Sequence, residues 1–153
     1  MSDILIAKEL RHRFRAAILA DGISVDNGGD AVAVEILETL PAGWVLKDEK
    51  LPALYVFATG EGLDHSQSIN EVVRSLSLAV ALMARPGGDP MDQLDDMQLA
   101  VEQKVLAAEN FGLAQSCRLL SVEIARNQGA AIIGTRIMNY EIVFGVTPGD
   151  PSL

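Results

Sequence analysis

Arg118-Leu119-Leu120-Ser121-Val122-Glu123-Ile124-Ala125-Arg126 alternates strictly. Leu120, Val122 and Ile124 take one face, and Ser121, Glu123 and Ala125 take the other. Further on, Met138, Tyr140, Ile142, Phe144 and Val146 again share one parity. Period-2 patterning over this length predicts the two arms of a half-buried antiparallel ribbon. The turn falls at Asn127-Gln128-Gly129. Shared parity assigns Leu120, Val122, Tyr140, Ile142 and Phe144 to the buried face. Such a ribbon is long for a small domain, and its edge must be covered or paired.

Upstream of the ribbon, Asp89-Pro90 reads as a helix start, an N-cap aspartate followed by proline at the first helical position. Leu94, Met97, Val101, Val105 and Ala108 recur at helical spacing, and Gly112 ends the run near Asn110. Before it, Val72 to Ala84 reads as a strand. Leu76, Leu78, Val80 and Leu82 form its apolar face, and Ser75, Ser77, Ala79 and Ala81 form a face of small residues open to close approach. Leu51 to Ala58 predicts another strand, with Pro52 at its start, where no ladder donor is needed. Thr59 to Asn70 reads as a polar loop. Trp44-Val45-Leu46 sits between turn-like segments.

At the other end, Asp3 to Ala20 predicts a helix with Ile6, Leu10, Phe14, Ala17 and Ile18 on one face. Asp21-Gly22 stops it. Residues 22 to 30 read as a loop, and Ala31 to Leu37 as a short strand. Residues 145 to 153 carry Pro148 and Pro151 and read as a frayed tail. The expectation is one α+β domain over residues 1 to 147, with a flexible tail over 148 to 153. Its mixed, largely antiparallel sheet is flanked by two main helices and ends in the long ribbon.

Hydrophobic residues make up 49% of the 153-residue chain, enough for a real core. The net charge of -9 argues against a simple nucleic-acid binder, whose affinity would come from neutralising phosphates, and no direct sequence-specific nucleic-acid partner is expected. The apolar run from Leu76 to Ala84 is too short to span a bilayer. The N-terminus carries Asp3 and Glu9 and no signal-peptide core, which predicts a cytosolic chain. The single cysteine, Cys117, reads as a buried apolar thiol with no internal partner.

Sites of chemistry are sparse. Gly60-Glu61-Gly62 lacks the third glycine of a dinucleotide fingerprint and the Gly-Lys-Ser/Thr of a phosphate loop. Pro86-Gly87-Gly88 precedes a helix N-terminus, but Asp89 and Asp92 already occupy that positive end. His12 and His65 are the only histidines and have no ligand spacing. Asp64-His65 reads as solvated loop, and the acids of the second helix as a solvated face. Glu102-Gln103-Lys104 resembles the E-x-K element of many nucleases, with Asp95 or Asp96 as partner. Those enzymes carry it on a strand, and here it stands in a helical pattern. Cys117 opens a strand, and no serine occupies a nucleophile elbow. No catalytic residue, metal or cofactor is expected.

Charge is unevenly distributed. Residues 1 to 20 carry a net +2, and residues 89 to 109 a net -5. A basic helix and an acidic helix in one small protein can complement each other across a repeated subunit contact. The expected contact residues are Lys8, Arg11 and Arg15 on the first helix, and Asp92, Asp95 and Asp96 on the second.

The order of elements resembles the tail terminator proteins of long-tailed bacteriophages and prophages, the minor tail protein U type. The matching stretches are Leu51-Pro52-Ala53-Leu54-Tyr55-Val56-Phe57 with Thr59-Gly60-Glu61, the helix from Asp92 to Ala108, and Ala131 to Phe144. The resemblance implies an α+β fold and a ring of subunits, typically a hexamer, that caps the finished tail tube. It implies the chain itself, the major tail tube protein and head-tail connector proteins as partners, and no membrane. It implies residence at the head-proximal end of the virion tail, after assembly in the host cytoplasm. The alternatives are another head-tail joining or neck protein and, in a different class, a phage metal-dependent nuclease.

Overall fold

The computed structural model describes residues 5–39, 50–64, 72–85, 89–125, 134–147 and 150–152. In chain order its elements are α1 (Ile6–Leu19), β1 (Ser24–Asn27), β2 (Asp30–Ala33), β3 (Glu35–Leu37), β4 (Ala53–Asp64), β5 (Val72–Met83), α2 (Pro90–Ala107), β6 (Ser116–Ala125) and β7 (Thr135–Val146). The main sheet has the order β3-β4-β5-β7-β6. Its pairs are antiparallel except β3 with β4, so the sheet is mixed and the fold is α+β. The Trp44 segment, His65 and the expected ribbon turn lie outside the described residues.

Both helices pack on one face of this sheet. Ile6, Leu10, Phe14 and Ile18 of α1 join Leu94, Met97, Val101 and Val105 of α2 in one core. That core includes Leu54, Leu76, Leu78, Val80 and Leu82 from β4 and β5, and Met138, Tyr140, Ile142 and Phe144 from β7. Phe14 lies at the centre, with its ring edge-on to Tyr140 at 5.2 Å and tilted against Phe111 at 5.7 Å. On the other face, Ala53, Met83 and Leu51 form a smaller cluster with Tyr55 beside it. Ala79 and Ala81 point the same way and are fully buried, cross-strand from Phe57 and Tyr55. The small-residue face of β5 thus turns away from both helices, with aromatic rings as its neighbours.

The start of α2 forms as its sequence requires. Asp89 Oδ1 accepts hydrogen bonds from the backbone N–H of Met91 at 3.0 Å and Asp92 at 3.3 Å. Gln93, buried on the next turn, bridges both backbone groups of Arg85. This satisfies the chain where β5 ends. A Cβ on Gly134 would come within 3.0 Å of Pro90 Cβ and 3.2 Å of Leu94 Cδ1. The first turn of α2 thus packs closely against the residue that precedes β7, and a side chain there would have to push Pro90 or Leu94 aside by a few tenths of an ångström.

Several expectations are corrected. The supposed loop at 22 to 30 contains the β1–β2 hairpin, closed at Gly28-Gly29, where Asp26 Oδ1 accepts from Gly29 N–H at 2.8 Å. Its arms are too short to display a period. The single strand expected from Ala31 to Leu37 is divided, because β2 pairs with β1 and β3 pairs with β4. Thr59 to Asp64, expected as loop, continues β4 after a register shift between Ala58 and Gly60. Pairing with β5 along its whole length overrides the weak strand preference of Thr59-Gly60-Glu61-Gly62. Gly145 and Val146 are the last residues of β7 rather than tail. Beyond them, Ser152 bridges to Leu5, and Ile6 N–H donates to Pro151 O at 3.0 Å.

The ribbon needs the largest correction. Tyr140, Ile142 and Phe144 are buried as expected, but Leu120 is 51% exposed, Val122 37% and Ile124 61%. The register shifts between Leu119 and Ser121. Cys117 and Leu119 stand opposite Ile142 and Tyr140 before the shift, and Val122 and Ile124 stand opposite Met138 and Arg136 after it. Leu120 is the extra residue of this bulge. Val122 and Ile124 do share the helix-side face with β7. They stay exposed because β6 is the last described strand of the sheet.

Candidate interaction surface

The basic residues of α1 line one edge of the molecule. Lys8 and Arg11 are exposed, and among the described residues neither makes an ion pair. Arg15 is half-buried and pairs with Glu38 at 3.5 Å. Between α1 and β4 lies a recess of about 560 Å³, lined by Arg11, His12 and Arg15 on the helix and Tyr55, Phe57 and Ala58 on the strand. It continues past Lys8 and Arg11 toward Thr59, Gly60 and Glu61. β3 pairs with β4 only at Ala53 to Tyr55, so no described strand covers this edge of β4 from Val56 onward.

The acidic residues of α2 lie elsewhere. Asp92, Asp95 and Asp96, with Asp89 and Asp26, line a recess of about 470 Å³ beside the β1–β2 turn. Asp95 also reaches β7, where its Oδ1 accepts from Arg136 Nη1 at 2.6 Å. The same Arg136 nitrogen donates to Gln98 Oε1 at 2.9 Å. Arg136 is almost wholly buried, whereas the Asp95 side chain is 65% exposed. No ion pair among the described residues joins Lys8, Arg11 or Arg15 to Asp92, Asp95 or Asp96. The two expected groups do not meet within one chain.

A third feature was not visible in the sequence. Between α2 and β6 lies a recess of about 270 Å³, lined by Glu102, Gln103, Leu106, Cys117, Leu119 and Tyr140. Tyr140 is buried there, and among the described residues its hydroxyl has no hydrogen-bond partner. Burial, then the neighbouring Glu102 carboxylate, then Cys117 push its ionisation far above the ordinary range. Burial likewise raises the Cys117 thiol from 9.0 to about 11, so this half-buried thiol stays protonated. The two elements that flank the recess carry exposed apolar side chains, Leu106 at 82% on α2 and Leu120, Val122 and Ile124 on β6. Leu99, 56% exposed, lies on the same stripe of α2 as Gln103 and Leu106.

The nuclease-like triplet does not assemble into a cleft. Glu102 lies in α2 and accepts from Gln98 Nε2 at 3.1 Å at the β6 side. Lys104 turns toward α1 and donates to the carbonyl of Ala20. Among the described residues, no three His, Cys, Asp or Glu side chains are placed to hold one metal ion. No model of a known protein family matches this chain, and a search of curated proteins returns no match.

Proposed function

We propose that this chain is a structural subunit that works by assembling with copies of itself. The assembly is a ring, typically a hexamer, that caps a bacteriophage-type tail tube. It ends tube growth and offers a surface to head-tail connector proteins. The observation that carries this reading is the set of exposed apolar side chains Leu120, Val122 and Ile124 on the edge strand β6. An edge strand presents unpaired backbone groups, and natural edges are usually defended by charge or proline. This edge exposes the branched aliphatic side chains of Leu120, Val122 and Ile124 alongside the charges of Arg118 and Glu123, as a surface made for another chain would. The resemblance in element order supplies the identity of the assembly.

Native mass spectrometry and light scattering of the purified protein, alone and with purified tail tubes, test the proposal. The expected result is a closed oligomer in solution or at tube ends, with tube length fixed by its addition. Strict monomers under every condition, tube ends included, would exclude it.

A further inference from the structure

The two ends of the main sheet are chemically unlike. One end, β6 with α2, exposes Leu106, Leu120, Val122 and Ile124 and bears the Glu102 carboxylate. The other, β4 with α1, is basic and exposes Lys8 and Arg11 along a strand edge that β3 leaves uncovered. We infer that copies of this chain join head to tail, the β6–α2 end of one against the α1–β4 end of the next. The inference rests on the ring reading and names its contact.

Three observations select a second copy in this orientation. Two β6–α2 ends facing each other would bring like Glu102 carboxylates together, and two α1 ends would oppose like charges. Unlike ends give complementarity, which suppresses the symmetric alternatives. Next, the Glu102 carboxylate lines the recess at the β6–α2 end. A guanidinium such as that of Arg11 can donate to that carboxylate. Finally, among the described residues each end carries an open strand edge, so β6 of one copy can continue the sheet from β4 of the next and satisfy both rows of backbone groups. A contact between unlike surfaces closes into a ring when its rotation allows.

The test uses two variants of the full chain, both altered at surface positions. Lys8→Glu with Arg11→Glu spoils only the α1 end. Glu102→Lys with Leu106→Lys spoils only the β6–α2 end. Circular dichroism and melting curves establish that each is folded. Sedimentation velocity should find each variant alone at least tenfold weaker in self-association than the parent chain. An equimolar mixture should recover assembly, because both kinds of junction are then complementary. Should the parent protein form rings and both variants form them equally well, the contact is wrong and the ring reading stands. Loss of assembly in only one variant also overturns the head-to-tail contact. A parent protein that never associates removes the ring reading, and this inference with it.

Discussion

Val122 on β6 stands directly opposite Met138 on β7, yet Met138 is fully buried and Val122 is 37% exposed. Cross-strand partners share a face, so orientation does not separate them. What separates them is cover: Met138 lies in the core with both helices, whereas β6 packs on that core at Cys117 and Leu119 and is open at Val122 and Ile124. One apolar stripe is therefore divided between core and surface.

Truncation should reveal that boundary. Ile142→Ala removes a fully buried side chain and should cost about 2–5 kcal/mol in a denaturant titration. Ile124→Ala, on the same side of the ribbon but 61% exposed, should change the stability of the monomer by no more than about 0.5 kcal/mol. Equal losses at both positions would mean that β6 is covered.

The Arg136–Asp95 pair should respond asymmetrically. Asp95→Ala leaves a buried guanidinium with Gln98 as its remaining described acceptor and should destabilise by about 1–3 kcal/mol. Arg136→Met removes the buried charge itself and should cost less. Urea midpoints of the two variants decide the order, and the reverse order would show that the ion pair does not hold α2 to β7.

Alkaline pH should weaken the fold through the α2–β6 recess. Burial holds the Cys117 thiol protonated, raising it from 9.0 to about 11. Its contribution is fully present below about pH 9 and is lost as the pH rises through about 11. Tyr140, raised by burial and by Glu102, acts in the same direction at still higher pH. Cys117→Ala should flatten the fall in denaturant midpoint over that window. At about pH 8, Cys117 should react with a disulfide reagent roughly 100-fold more slowly than an ordinary cysteine. Ordinary reactivity would place the thiol in solvent.

Nucleic acid should survive incubation with this protein. Glu102 and Lys104 face different neighbours, so they cannot direct a metal-bound water and a cation at one phosphate. Single- and double-stranded DNA with Mg²⁺ or Mn²⁺ should remain intact on gels. Cleavage abolished by Glu102→Ala and by Lys104→Ala would instead establish the nuclease alternative.

The elements that periodicity can reach were legible from the residues alone. The 3.6 spacing of Leu10, Phe14 and Ile18 and of Leu94, Met97 and Val101 specifies both helices and their buried faces. Asp89-Pro90 specifies where α2 begins, because a side-chain cap and a proline act within one turn. The long alternations specify β5 and β7. Nothing local specifies that Thr59 to Asp64 is strand, since that follows from twelve-residue β5 lying alongside it. Nor does any local signal mark the bulge at Leu120, or the end position of β6 that leaves Val122 and Ile124 in the open. Alternation tells which residues share a face, and burial depends on what lies above that face. The basic and acidic helices were likewise readable as charge, but only the tertiary structure sets Lys8, Arg11 and Arg15 beside β4 and Asp92, Asp95 and Asp96 beside the β1–β2 turn.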